Sequence, residues 1–322
     1  MKKIRKYIYL LLIFSYVSFT SCEDFALGEK FLQKPPSGDV TIDTIFSTAE
    51  YARRVLWYAY SKLPYGFSTG YNNSTSMRVG SIESLTDLAQ SYVGYAGADK
   101  LYYPGLYNAG SEDESGGEDH ATKYNMYARD PWKGIRHAWV FINNVDRVPD
   151  MTAEEKLRLK AEAKITIAVQ YSEMLRHYGA LPIVDHAIMP EEMGLPERAT
   201  LQQTVDFITR LLDEAIACKE LPWALPEDDL SNESGRMTGA AAMGLKLRVL
   251  LFVASPLFNS DEPYFPGEAS DKLMTWFGGY SEQRWKDAAK AGEDFFKSWK
   301  QGGFYELVQK ETATKNTIRQ AF

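Results

Sequence analysis

Cysteine is nearly absent from this chain: Cys22 and Cys218 stand against 20 tyrosines and 16 phenylalanines in 322 residues. Two cysteines build no disulfide framework, so stability has to come from a hydrophobic core. Cys218, in the apolar pattern Ile216-Ala217-Cys218, reads as a buried small hydrophobe. Histidine is equally scarce. His120, His137, His177 and His186 include no pair at the i, i+4 spacing of a zinc-protease helix, and Cys218 has no nearby cysteine for a zinc cluster. His177 closes a helical pattern, where a cation suits the dipole. There is no Gly-x-Ser-x-Gly elbow, phosphate-binding loop or dinucleotide fingerprint, and no carboxylate pair is singled out for glycoside hydrolysis. The dense acidic run Glu112–Asp119 lacks the alternating ligands and terminal bidentate Glu of an EF-hand, so it reads as a solvated loop tip. No metal, cofactor or catalytic group is therefore assigned. Basic excess is missing too. At a net charge of −7 the chain is a poor partner for nucleic acid, and no polybasic stretch is present to hold an anionic membrane surface.

What is present begins at the N-terminus. Met1-Lys2-Lys3-Ile4-Arg5-Lys6 precedes an apolar run, Tyr7–Val17, and then Ser18-Phe19-Thr20-Ser21-Cys22, which is the build of a secretory signal. The apolar run covers 11 residues, about half of a bilayer-spanning helix, so it makes a poor permanent anchor. The cleavage point resembles that of a bacterial lipoprotein signal, with Cys22 as the lipidated first residue. Glu23 and Asp24 resemble the acidic signature of lipoproteins exported to the cell surface in Bacteroides-like bacteria. Removing residues 1–21 leaves 301 residues and takes away four basic and no acidic ones, so the net charge moves from −7 to −11.

The remainder divides into a tether and a helical body. Residues 22–45 carry prolines, glycines and little periodicity, and read as an extended N-terminal tether. From residue 46 to 322 helical signals dominate. Ser47 and Glu50 have capping-box spacing before a helix carrying Tyr51, Val55, Tyr58 and Lys62, closed by Pro64. Trp132, Ile135, Trp139, Ile142 and Val145 mark a second helix, closed by Pro149. Thr152 and Glu155 open a third through Leu157, Ala161, Ile165, Ala168 and Leu175, with Gly179 as C-cap. Thr200 and Gln203 open a fourth, to about Lys219. Thr238 begins a fifth, to Ala254, whose small residues permit close approach of a neighbour. Trp285–Trp299 is the last. No period-two pattern is long enough for a substantial sheet. Antiparallel helical hairpins that bury their faces on their neighbours follow the logic of a solenoid with degenerate repeats.

Residues 64–123 interrupt this pattern with Gly, Ser, Asn and Tyr and one short helical run near Ser81–Gln90. A connection of that length inside a domain is usually functional, and its aromatic content argues against disorder. Tyr71, Tyr92, Tyr95, Tyr102, Tyr103 and Tyr107 offer flat apolar faces with a hydroxyl, which suit a sugar ring, and Asn72 and Asn73 add short uncharged polar groups. The same tyrosines also suit anchoring the loop to the helices.

Several ordered segments resemble the SusD/RagB family of outer-membrane nutrient-binding lipoproteins. They are Cys22-Glu23-Asp24 through Phe31-Leu32-Gln33-Lys34-Pro35-Pro36; Trp132 with Ile135-Arg136 and Asn143-Asn144-Val145; Ala161-Glu162-Ala163 with Tyr178-Gly179-Ala180-Leu181-Pro182; Gly235-Arg236-Met237-Thr238; Ala254-Ser255-Pro256-Leu257-Phe258-Asn259; and Trp285 with Phe304-Tyr305-Glu306-Leu307. Lys164-Ile165-Thr166-Ile167-Ala168 replaces the Arg-rich half of the family's central segment. The resemblance implies an all-α fold of stacked tetratricopeptide-like helical hairpins with a long irregular ligand-binding loop region. It further implies a lipid-anchored, surface-exposed outer-membrane protein that binds oligosaccharides, or occasionally peptides, and passes them unchanged to a TonB-dependent SusC-type transporter. Family members usually run longer, with a C-terminal region that shares the ligand site, so the resemblance implies that this part of the family domain lies outside the chain. Two other expectations stand beside it: a helical-repeat scaffold that binds only protein partners in the outer membrane, and a lipid-anchored glycan-active enzyme.

Overall fold

Helix starts in this chain are set by threonine. Its hydroxyl accepts a hydrogen bond from an otherwise unsatisfied first-turn amide, which favours initiation at that point. The computed structural model describes residues 41–63, 87–88, 90, 103–105, 130–188, 192, 194, 196–225, 228 and 230–305. Six long helices lie among them: α1 Ala49–Tyr60, α2 Asp130–Asn144, α3 Ala153–Tyr178, α4 Leu201–Ile216, α5 Gly239–Ala254 and α6 Glu282–Gly302. Thr48, Thr152, Thr200 and Thr238 cap four of them, at 3.4, 3.1, 3.2 and 3.2 Å. Among the described residues no strand occurs, and Pro182 and Arg198 form an isolated bridge. No described helix is long and apolar enough to cross a membrane.

Several sequence expectations need correction. The N-cap of α1 is Thr48 rather than Ser47, and Glu50 turns to Arg54 (2.5 Å) instead of closing a box. The cause is tertiary: the Asp150 carboxylate accepts the Ala49 amide at 2.7 Å and fixes where the helix begins. α1 buries Ala49, Ala52, Leu56 and Ala59, and leaves Tyr51 and Tyr58 outward. Glu155 does not complete the box at Thr152, because it binds Arg53 at 2.6 and 2.9 Å. Leu157 is exposed, while Ala161, Ile165, Ala168 and Leu175 are buried as the periodicity requires. Cys218 is half-buried and lies beyond the end of α4, with its Sγ 3.6 Å from the Leu157 carbonyl. Of the run Ser81–Gln90, residues 87 and 88 form a turn.

The chain falls into two compact units, residues 1–45 and 46–322. In the first unit Ile42–Ile45 makes one helical turn, with Thr41 accepting the Thr44 and Ile45 amides through its side chain and carbonyl. In the second, each long helix packs on the next in sequence, and α1, α3 and α5 also touch in order. α1 and α3 run parallel, since Arg53 meets Glu155 near both starts and Tyr60 meets Glu162 further along both. α2 runs back between them: Gly134, near its start, abuts Lys62 and Gln170. α4 is antiparallel to α3. Lys164 pairs with Glu214 at 2.9 Å and Tyr171 stacks edge-on with Phe207 at 4.9 Å, so a step forward on one helix is an equal step back on the other. α5 and α6 repeat this, with Gly244 against Phe295 and Gly292 against Leu247. The small residues of α5 do permit that close approach. The result is a stack of three helical hairpins, all-α and tetratricopeptide-like.

Candidate functional site

Strict up-down alternation has a consequence for the connections. α1→α2, α3→α4 and α5→α6 all turn at one end of the stack, and α2→α3 and α4→α5 turn at the other. The first set spans residues 61–129, 179–200 and 255–281, and the second 145–152 and 217–238, so the two longest connections both belong to the first. One end therefore gathers the two longest connections on a rigid helical base, the arrangement in which binding surfaces are usually built.

Two connections of the first set are stitched together. Leu201 opens α4, and its unsatisfied amide donates to the Leu273 carbonyl at 2.8 Å, while the Ala180 amide donates to the Met274 carbonyl at 2.7 Å. Leu273 adopts a left-handed φ of 55°, strained for a side-chain-bearing residue, to present that carbonyl. The segment after α3 is fixed from below. The Tyr171 hydroxyl donates to the Pro182 carbonyl (2.9 Å) and accepts from the Val184 amide (2.8 Å), and the Trp139 indole donates to the Val184 carbonyl (2.8 Å). Burial holds the Tyr171 phenol well above its usual pKa, so it remains a donor. Arg198 donates to the Ala180 and Tyr178 carbonyls.

Beyond this scaffold the end bears exposed groups. Tyr264 and Phe265, at the tip of the α5→α6 connection, are 82% and 81% exposed. On the α3→α4 connection, His186 lies between Asp185 and Glu192, 2.8 Å from each. Of the residues assigned from sequence, Tyr103 in the α1→α2 connection is described and is 45% exposed. Tyr71, Asn72, Asn73, Tyr92, Tyr95, Tyr102, Tyr107 and Cys22 lie outside the described residues. Tyr264 and Phe265 were not picked out from sequence, although Pro263-Tyr264-Phe265-Pro266 flanked by Asp261 and Glu262 is a local signal for a stiff aromatic tip.

The most distinctive sequence motifs form a structural clamp. Glu162, fully buried, accepts from the Tyr60 hydroxyl (2.8 Å), Arg158 (3.0 Å) and Arg236 (2.6 and 3.1 Å). Glu233 accepts from both arginines, and Arg236 lies over the Trp57 ring at 5.4 Å. Burial works against the Arg236 charge, yet Glu162 and Glu233 more than offset it and raise its pKa. Burial, then the Glu162 charge, pushes the Tyr60 phenol far up, so it stays a donor. A concavity of about 360 Å³ lies between α4, α5 and α6, and its lysines are engaged by its own carboxylates, Lys246 by Asp213 at 2.6 Å and Lys290 by Asp294. Among the described residues no group of His, Cys, Asp or Glu has the geometry of a metal site.

Neither a protein-family model nor a curated protein matches the sequence. Solved structures do. A SusD-like protein from Bacteroides fragilis is 19% identical with a TM-score of 0.53, over 85% of this chain and 42% of its own. A SusD homolog from Bacteroides thetaiotaomicron gives 20% and 0.51, over 87% and 45%. The chain has the SusD-like fold. A SusD-like carbohydrate-binding protein from Bacteroides fragilis adds 17% identity and a TM-score of 0.50, over 79% and 41%. The chain thus spans less than half the length of these SusD-like structures.

Proposed function

We propose that this chain is a surface lipoprotein that captures nutrient oligosaccharides and delivers them, chemically unchanged, to a TonB-dependent SusC-type transporter of the outer membrane. Cys22 carries the lipid and residues 22–45 tether the helical domain of residues 46–322 beside the transporter. Tyr71, Asn72, Asn73, Tyr92, Tyr95, Tyr102, Tyr103 and Tyr107 supply the ligand platform. One observation carries this reading: on a SusD-like fold, the two longest connections leave from one end, and both carry exposed aromatic rings.

Magnitudes explain why several rings are needed. One aromatic stack is worth about 0.5–1.5 kcal/mol beyond its area, while even millimolar affinity requires about 4 kcal/mol. A sugar chain lying across several rings reaches useful affinity where one ring does not. Calorimetric titration of the purified chain against a glycan and peptide panel tests the proposal. Saturable oligosaccharide binding is the expected result. No binding to any member, with the helical circular dichroism intact, overturns it.

A further inference from the structure

We infer that the connection Asp261–Gly267 is a second glycan contact on this chain, one that selects neutral oligosaccharides over polyanionic ones; this rests on the capture function proposed above. Tyr264 and Phe265 are the two aromatic side chains most exposed among the described residues. They stand on a stiff mount. Pro263 and Pro266 fix φ on both sides of the pair, and Pro266 restricts Phe265 itself to extended conformations.

Both flanks of the mount are tied down. The Ser260 hydroxyl donates to the Glu262 carbonyl at 2.5 Å. The Gly267 amide donates to the Ser270 hydroxyl, which donates back to the Gly267 carbonyl, at 2.9 and 2.7 Å. Ser270 is buried, and the Trp276 indole donates to its carbonyl at 2.9 Å. Leu273 and Met274 then lock the strap to α4 and to the turn after α3. Rings held out on an ordered loop lose little conformational freedom when a ligand covers them, so their contact area converts efficiently to affinity.

The ligand class follows from the neighbouring charges. Asp261, Glu262, Glu268 and Asp271 flank the pair in sequence, and the one lysine between residues 261 and 272, Lys272, is engaged by Glu268 at 2.6 Å. Sugar C–H faces stack on the rings and sugar hydroxyls donate to the carboxylates of Asp261 and Glu262. A uronate or sulfated chain meets like charge there and is repelled.

Affinity electrophoresis and calorimetry with linear neutral glucans, mannans and xylans, and with polygalacturonate and chondroitin sulfate, test the inference on the purified chain. The expected result is binding to a neutral glycan that falls at least tenfold in the Tyr264→Ala/Phe265→Ala variant, with unchanged circular dichroism. Asp261→Asn/Glu262→Gln is expected to admit an anionic glycan that the natural chain refuses. Neutral binding that survives in the double alanine variant overturns this inference and leaves the capture function standing. A natural chain that prefers the polyanions overturns it as well. A variant that keeps glycan affinity but no longer retains an outer-membrane protein assigns the loop to protein contact instead. Absence of binding to every glycan overturns the inference and the function together.

Discussion

At the scale of the residue, Glu162 shows how a buried charge is made tolerable. Three side chains donate to it and both arginines are shared with Glu233, so each charge has a partner. Removing one member leaves the others uncompensated in a low-dielectric site. Glu162→Gln is expected to cost about 3–5 kcal/mol in urea denaturation, the range for breaking a buried pair from one side; a loss below about 1 kcal/mol would contradict the clamp. The residues were visible in the sequence as parts of Ala161-Glu162-Ala163 and Gly235-Arg236. Their partnership was not, because nothing local links positions so far apart. His186 gives a second test. Both ring nitrogens face carboxylates, and only the imidazolium donates from both. Glu192 first, then Asp185, raise its pKa above the usual 6.5. Any stabilisation it gives is full below pH 6.5 and is lost as pH rises through the raised value. The Asp185 carboxyl, depressed mainly by the His186 bond, acts at the acid side: its share is lost as pH falls through the lowered value. An NMR titration should place the His186 midpoint above 6.5; a midpoint at or below that value would show that the bracket does not persist in solution.

At the scale of the element, helix ends were the most legible feature. Thr200 and Gln203 form the full reciprocal box, and Thr152 and Thr238 cap where the pattern requires. These signals are local, so sequence carries them. α1 is the exception, since Ser47 and Thr48 both offer a hydroxyl and Asp150, distant in sequence, decides between them. Gly179 combines local and tertiary demands. Its φ of 73° suits glycine, and a Cβ there would sit 2.7 Å from the Met274 carbonyl. Gly179→Ala is therefore expected to destabilise by about 1–3 kcal/mol, from backbone strain and the forced displacement of that carbonyl. Chemical denaturation reads the change, and a neutral result would mean that the strap from residue 268 to 277 shifts without cost. Amphipathic faces were less legible than ends. The pattern Tyr51, Val55, Tyr58 marked one face of α1, yet the helix buries Ala49, Ala52, Leu56 and Ala59 instead, because α2 and α3 pack on that other face.

At the scale of the whole molecule, alternation of helix direction does what no single motif does, by bringing the two longest connections to one end. If Cys22 holds the chain at a membrane surface, Cys22→Ser should move most of it from the membrane to the soluble fraction in cell fractionation, since no described helix can span a bilayer. Retention of the variant in the membrane would point to another mode of attachment. The sequence by itself determined the helical class, four of the helix starts to within a residue, the lack of a disulfide framework and the aromatic wealth of the long connection, all of which depend on near neighbours or on composition. Only the tertiary structure decided that Glu162 and Arg236 form one clamp, that Cys218 sits past a helix end, and that Tyr264 and Phe265 stand exposed on the α5→α6 connection. Burial and proximity are set by the packing of helices remote in sequence, and a linear pattern carries no record of which remote partner arrives.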